Sequence, residues 1–559
     1  MLVLGIVNND VSGACLIENN NILAAVHEER FTRKKNDSSW PLNSIEFVLN
    51  SQNKTLDDID YVTYGWCAGF SPQQHLDLYV DRITNAPQEQ HSFIKKRISD
   101  EINNDKAKKI EFRRFVEEAN LSDKVLYIDH HRSHGFGAYL CSPFENALVI
   151  TCDGRGDFQS LTICEATPDS YNVLHRETSI DSLGYFYGRI TKLLGYKPNQ
   201  HEGKVTGLAA FGDPNKYLFL MEQMINIEDG KLRANCGEYF SPSYNEYSTE
   251  LLNVLKEARP EDIAAAAQSH LENLIVKIVS KYVNPSLPTN VCLSGGVFGN
   301  VKLNQRIREI NNVANIYVLP CMGDGGHPLS SAVVGMYDTS KIRTKTPSMF
   351  LGPNFSDEEI IELIENTYPD ISFHNTNNII DEVICELSNN QVVGLFRGKM
   401  EFAPRALCNR SIIYHTKDKT MNDWLNKRFD RTEFMPFAPV TPENLAEKCF
   451  INWSESDISA KFMTVTYDCT ELMKSKCPAV VHIDGTARPQ IIIQNKDNFT
   501  YDLINKWYEL TGEPSLVNTS FNKHEEPIVC SPADALDALR SGIIDVVCFN
   551  DRIICKKAS

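Results

Sequence analysis

No two of the sixteen cysteines form a Cys-x-x-Cys pair, so the chain lacks the ligand spacing of a zinc finger. Those in apolar runs (Cys152, Cys292, Cys385, Cys548) read as small buried hydrophobes, kept reduced in a cytoplasmic setting. No apolar stretch approaches the roughly 18 residues of a membrane-spanning helix. The opening run Met1 to Val7 is too short for a secretory signal and has no basic residue before it. Positive charge is in deficit: 56 Lys and Arg stand against 73 Asp and Glu, a formal net charge of −17. That excludes broad electrostatic binding to polymeric nucleic acid or to an anionic membrane, and leaves room for a local basic pocket. Low-complexity segments and fixed-period repeats are absent.

What is present is a chain of 559 residues, long enough for roughly two to four domains at about 150 residues each. Its most informative stretch is Asp129-His130-His131-Arg132-Ser133-His134. On a helix, His130 and His134 share a face and can hold one divalent ion. An apolar run, Ala147 to Cys152, then leads into Asp153-Gly154-Arg155-Gly156-Asp157. This reads as a buried strand feeding a glycine turn, where backbone N–H groups can meet phosphate. A metal pair followed by a phosphate loop suggests a nucleotide-dependent enzyme.

Leu2–Val7, Ala14–Ile17 and Ile22–Val26 read as three strands joined by tight polar turns. The first turn carries Asn8, Asn9 and Asp10. The charged run Glu28 to Lys35 reads as a solvated loop, and residues 42 to 122 as a polar, largely helical insertion. Gly203, Gly207 and Gly212 around Lys204 suit a substrate or nucleotide loop. Asn290–Leu293 reads as a buried strand ending in Ser294-Gly295-Gly296, with Asn300 on the helix beyond, a cradle for phosphate or adenosine. Asp324, on a glycine-rich turn after the next strand, is a natural third metal ligand. The domain boundary is expected at the polar joint Lys341 to Pro347.

In the second half, Arg397, Lys399, Arg405 and Arg410 place four cations within fourteen residues of an acidic chain, a concentration that calls for an anion. Lys427, Arg428 and Arg431 follow, then His482-Ile483-Asp484-Gly485 with Arg488, and Asn518-Thr519-Ser520-Phe521-Asn522.

The ordered motifs resemble the O-carbamoyltransferases that decorate nodulation factors, cephamycins and aminoglycosides such as tobramycin. The resemblance spans nearly the whole chain. It rests on Glu28-Glu29-Arg30, Asp129-His130-His131-x-x-His134, Asp153-Gly154, Glu202-Gly203-Lys204-Val205-x-Gly207, Gly295-Gly296 and Gly323-Asp324-Gly325. In the second half it rests on Met400-Glu401-Phe402-x-Pro404-Arg405-Ala406-Leu407, Asn409-Arg410-Ser411, Pro436-Phe437-Ala438-Pro439, His482-x-Asp484-Gly485 and Asn518 to Asn522. It implies an α/β protein with an actin-like domain over 1–345 and a twisted-sheet, carbamoyladenylate-forming domain over 346–559. A divalent metal (iron, zinc or manganese) would be held by His130, His134 and Asp324, with Asp153 beside them. Lys204, Gly207, Gly295, Gly296 and Asn300 would meet nucleotide. Lys399, Arg405, Arg410, Arg431 and Arg488 would neutralise the phosphates of carbamoyl phosphate and ATP, with magnesium accompanying the nucleotide. Asn518, Ser520 and Asn522 would hold the planar carbamoyl group.

Three departures from the family pattern stand out. Relatives often carry histidine where this chain has Asn9, and an amide cannot serve as a general base; Asp10 is then the nearest candidate. Ala403 and Cys408 replace frequent glycines, and Met435 a frequent arginine. The expected activity is carbamoyl transfer from carbamoyl-AMP to a hydroxyl of a small acceptor: a sugar, a natural product or a modified nucleoside. The alternatives are a threonylcarbamoyl-type transferase and a non-catalytic actin-like ATP-binding scaffold. Acceptor specificity is expected in residues 42 to 122 and 160 to 200. A homodimer is the working expectation for the assembly.

Overall fold

The computed structural model describes residues 1–67, 73–237, 239–241, 247–344, 348–430 and 434–558. The chain divides into two compact units. One comprises Met1–Leu23 and Ser38–Thr346, the other Ala24–Asp37 and Pro347–Ser559.

The first unit contains two five-stranded sheets built on one plan. In the first, β1 (Leu2–Val7), β2 (Gly13–Glu18) and β3 (Asn21–His27) form an antiparallel meander, and β4 (Tyr61–Tyr64) and β5 (Val125–Tyr127) continue parallel to β1. The order is β3-β2-β1-β4-β5. In the second, β6 (Ala147–Gly156), β7 (Gln159–Ala166) and β8 (Tyr171–Thr178) form the meander. A small hairpin, β9 (Ile225–Glu228) with β10 (Lys231–Ala234), intervenes. Then β11 (Thr289–Ser294) and β12 (Val313–Val318) run parallel to β6, and the order is β12-β11-β6-β7-β8. This duplicated order is that of the actin-like fold. β1 is buried throughout, as the near-continuous apolar run of a strand covered on both faces requires.

Each half places a helix directly after its last strand: His130–Cys141 after β5, and His327–Ser340 after β12. Gly137 lets them touch, since a Cβ there would lie 2.6 Å from that of Ser330. The stretch 42 to 122 contains helices Leu42–Asn50, Gln73–Thr84 and His91–Glu118, and also β4, a sheet strand that the polar surroundings concealed. Among the four cysteines expected to be buried, Cys385 is exposed. Among the described residues, no helix is long and apolar enough to cross a membrane.

The second unit is built on an eight-stranded mixed sheet with Val393–Phe396, Arg410–Tyr414 and Leu516–Ser520 adjacent at its centre. Helices Ile379–Ser388 and Asn498–Thr511 cover it. Val383, Leu387, Leu503 and Trp507 pack there with Val393, Ile413 and Leu516 in one apolar core. The division between the units falls within β3. Residues 24–37 belong to the second unit: Ala25 donates its N–H to the Leu351 carbonyl at 3.1 Å, and Phe31 packs on Met400, Ala406, Ile528 and Cys530. Glu28, Glu29 and Arg30 are buried there. The charged run expected in solvent is therefore partly internal, with Arg30 and Glu29 paired at 2.9 Å.

Candidate active site

The first half-site is fixed before any histidine is considered. Asp129 caps the helix His130–Cys141, its Oδ1 accepting the Arg132 N–H at 2.8 Å. Asp157 accepts the His130 N–H at 2.8 Å and the Cys67 N–H at 2.9 Å. Two carboxylates thus satisfy the open N–H groups of this helix end. The four-residue spacing turns the rings of His130 and His134 to one face, 4.7 Å apart. The β6–β7 turn crosses so close that a Cβ on Gly156 would lie 1.9 Å from His130 Cδ2; only glycine fits.

Carboxylates come from the second repeat. Asp153 lies near the end of β6, and Asp324 on the turn that opens the helix His327–Ser340. His134 Nε2 is 3.1 Å from Asp153 Oδ2 and 3.4 Å from Asp324 Oδ1; His130 Nε2 is 3.7 Å from each. A further histidine, His327, stands 3.8 Å from Asp324 Oδ1. All three rings are fully buried. His131 points elsewhere, its Nδ1 2.7 Å from Thr151 Oγ1.

These side chains suit a cation. The ligand atoms of His130, His134, Asp324 and His327 all lie within 4.8 Å of one another. Nε2 of His130, Nε2 of His327 and Oδ2 of Asp153 are buried and make no hydrogen bond, an arrangement that native interiors rarely leave unexplained. Behind them Ser294 Oγ meets His134 Nδ1 at 3.3 Å, the outer contact that orients a ligating imidazole. The electrostatics agree. Burial drives His130 and His327 well below the usual imidazole range. Burial also opposes a charge on His134, but Asp153 and Asp324 outweigh it and push its pKa up to about 9. Burial and the neighbouring Asp153 push Asp324 up to about 7. Burial works against Asp153 too, yet His130 and His134 hold it well below the usual carboxylate range.

The other residues singled out in this unit divide. Asn9 is buried and donates its amide to Asp324 Oδ2. Asp10 is exposed, accepts from Asn199 at 3.1 Å, and adds repulsion on Asp324. Gly295 has φ +108°, and a Cβ there would lie 2.3 Å from the Cys152 carbonyl oxygen; Gly296 faces Asp153 Oδ1. The double glycine therefore abuts the carboxylate end of the cluster. Lys204 is buried, with Gly207, on the helix Glu202–Ala209. Asn300, expected beside a nucleotide, is engaged by its own surroundings. Its Oδ1 caps the helix Val301–Arg308 at Leu303 N, 3.1 Å, and it exchanges two hydrogen bonds with Gln268.

In the second unit, Arg410 also departs from expectation. It is fully buried, its guanidinium 3.6 Å from the Phe396 ring centroid. Its N–H groups serve the carbonyls of Arg397 (2.6 Å), Asn409 (3.1 Å), Pro353 (3.1 Å) and Gly398 (3.2 Å). Those four bonds give it a scaffold role in this loop. Glu401, a motif residue given no role from the sequence, gathers the same loop: its Oε1 accepts from the N–H groups of Leu407 (2.7 Å), Asn409 (2.8 Å) and Arg410 (3.0 Å). Arg405 lies within electrostatic reach of Arg488, and burial together with that neighbour holds its pKa well below the guanidinium range. Lys399 is exposed on a cleft of about 610 Å³ that Lys496, Asn409 and Asn550 also line. Asn518 donates to Gln490 Oε1 at 2.6 Å, which Cys408 Sγ also approaches at 3.4 Å. Ser520 is half-buried. Asn522 donates to the carbonyls of Lys523 and Glu526, fixing its own loop. Arg431 lies outside the described residues.

Comparison with known proteins agrees along the length of the chain. Residues 3–333 match the family model "Carbamoyltransferase N-terminus" and residues 385–556 match "Carbamoyltransferase C-terminus". The chain belongs to the carbamoyltransferase family and is an enzyme that transfers a carbamoyl group. It is 31% identical to an uncharacterized protein of Methanocaldococcus jannaschii, over 99% of this chain and 100% of that one. It is 28% identical to the nodulation protein NolNO of Sinorhizobium fredii, over 98% of this chain and 79% of that one. Among solved structures, component A of the Acidaminococcus fermentans (R)-2-hydroxyglutaryl-CoA dehydratase aligns with a TM-score of 0.35 at 14% identity, covering 61% of this chain and 99% of that one.

Proposed function

We propose that the protein is an ATP-dependent O-carbamoyltransferase working in two stages. In the second unit, water attacks carbamoyl phosphate, the bond to the phosphate group breaks, and carbamate, inorganic phosphate and a proton result. A carbamate oxygen then attacks the α-phosphorus of ATP, and pyrophosphate leaves. The product, carbamoyl-AMP, is consumed in the first unit. There the hydroxyl of a small acceptor attacks the carbamoyl carbon, AMP departs with the bond electrons, and the hydroxyl proton goes to a base.

The observation that carries this reading is the cluster of buried His130 and His134 with the partly exposed Asp153 and Asp324 at the heads of the two repeats, in a chain of this family. A divalent ion held by those four residues would supply Lewis-acid assistance to the departing phosphate. The chain's own groups do the rest. Asn9 fixes the rotamer of Asp324. Asp10, an exposed carboxylate whose charge acts on Asp324, would take the acceptor proton. Trp66, which meets His130 edge-on at 4.2 Å, shields the histidine side of the cluster. In the second unit, Arg405 and Arg488 are like charges held in each other's field, and a bound polyphosphate relieves that repulsion. Lys399 would add a mobile cation at the rim.

The test omits the acceptor. Native protein incubated with ATP and carbamoyl phosphate is expected to form carbamoyl-AMP and pyrophosphate, detected by mass spectrometry, while Arg405→Ala forms neither. Folded native protein that binds ATP and makes no adenylate would overturn the activating step.

A further inference from the structure

We propose that His327 is a metal ligand, a third imidazole that makes the cluster a nitrogen-rich site for a borderline first-row ion such as iron(II), cobalt(II) or zinc(II), in preference to magnesium or manganese. This rests on the metal reading above and concerns which donors hold the ion and which ion they favour.

His327 opens the helix His327–Ser340, three residues after Asp324, so both donors come from one turn. Its ring is fully buried, with centroids 4.1 Å from His134 and 4.4 Å from His130. Its two nitrogens have different surroundings. Nδ1 lies 2.8 Å from Ser133 Oγ; Nε2 points into the cluster, 3.8 Å from Asp324 Oδ1, and makes no hydrogen bond. That division is the one a ligating imidazole shows: one nitrogen oriented by an outer hydroxyl, the other left to a metal. His134 repeats it, with Ser294 at Nδ1 and the carboxylates at Nε2. Ser133 sits between the two ligand helices and also meets Ser330 Oγ at 3.1 Å.

A purely packing role accounts poorly for this. Three mutually facing imidazoles, two of them with an unsatisfied buried nitrogen, make a worse interior than three apolar side chains of the same bulk. Donors held about 2.0–2.2 Å from one ion lie about 3 to 4.4 Å from each other. The ligand atoms here, within 4.8 Å, need only a small closure. The preference follows from donor chemistry, since carboxylate and water sites suit magnesium and manganese while added imidazoles favour iron, cobalt and zinc.

The full-length protein, stripped of metal, would be titrated with cobalt(II) alone, then in competition with manganese(II) and zinc(II), alongside His327→Ala, His327→Gln and His134→Ala. Bound metal after gel filtration and the visible cobalt spectrum are the readouts. Native protein is expected to bind one cobalt per chain. Both His327 variants should shift the visible bands, weaken cobalt at least tenfold, and narrow its advantage over manganese. Should the alanine variant fail to fold, the glutamine variant keeps the bulk and reads the same quantities. Unchanged spectrum and affinity in a folded His327 variant, with binding lost in His134→Ala, would overturn the inference and leave the metal reading intact. Native protein that takes up none of the ions overturns both.

Discussion

Asn9 donates its side-chain amide to Oδ2 of Asp324, linking the first turn of one repeat to the helix head of the other. The amide cannot take a proton, but it can hold the carboxylate so that Oδ1 faces His134. Asn9 is therefore a positioning residue. Asn9→Ala should lower both metal affinity and kcat by about 10- to 100-fold, the usual cost of losing an outer-shell contact, with KM for carbamoyl phosphate unchanged. Metal titration and steady-state kinetics would read this; an unaltered metal affinity would remove the positioning role.

Glu401 and Arg410 form the buried frame of the second unit's cation-rich loop. Removing the carboxylate leaves three backbone N–H groups unsatisfied and an interior guanidinium without its negative neighbour. Glu401→Ala should lower stability by about 3–5 kcal/mol, since three backbone donors lose a charged acceptor and each unsatisfied one costs roughly 1–3 kcal/mol, with a smaller loss for Glu401→Gln. Urea unfolding would measure both. Equal midpoints for native protein and Glu401→Ala would refute the frame.

The juxtaposition of His130, His134 and Asp324 was legible because its spacing is chemical: two histidines four apart and an aspartate on a glycine turn. His327 was legible in principle, three residues beyond Asp324, but an isolated histidine before a proline carries no signal until the helix start is known. The contacts of Asn300 and Arg410 were hidden for the opposite reason. Each is a polar residue in a ligand-like context whose groups are fully engaged by neighbours distant in sequence, Gln268 for one and the Pro353 carbonyl for the other. The buried Glu28–Arg30 run was hidden likewise, because its surroundings come from residues some 370 to 500 positions later.

Those surroundings make a prediction about fragments. Arg33 donates to the carbonyls of Ile528 and Pro527, both at 2.8 Å, and lies 3.4 Å from Asp534. Phe31 adds apolar contact. A fragment of residues 347–559 alone lacks both. It should be less stable than the same unit in the full chain, and Arg33→Ala in the full chain should cost about 1–2 kcal/mol, read as a lower urea midpoint for the second unit. A fragment as stable as its full-length counterpart would show that residues 24–37 contribute nothing.

Acid should weaken the second unit through His415. Its ring is 3% exposed, its Nε2 lies 2.8 Å from Asn390 Oδ1, and it stacks on Tyr414 at 4.2 Å. Burial, with the nearby Lys417, pulls its pKa down to about 4, whereas an unfolded histidine titrates near 6.5. Between those values the unfolded chain binds a proton that the folded one refuses. The stability this group contributes is therefore full above about pH 6.5 and declines as pH falls toward 4, by at most about 1.4 kcal/mol per pH unit. His415→Gln keeps a polar group beside Asn390 and cannot titrate. Native protein should lose stability relative to this variant as pH is lowered from 7 to 4.5, measured as the difference between their urea midpoints. Parallel curves would mean that the folded ring accepts its proton as readily as the unfolded one, and that its packing against Tyr414 leaves it open to solvent.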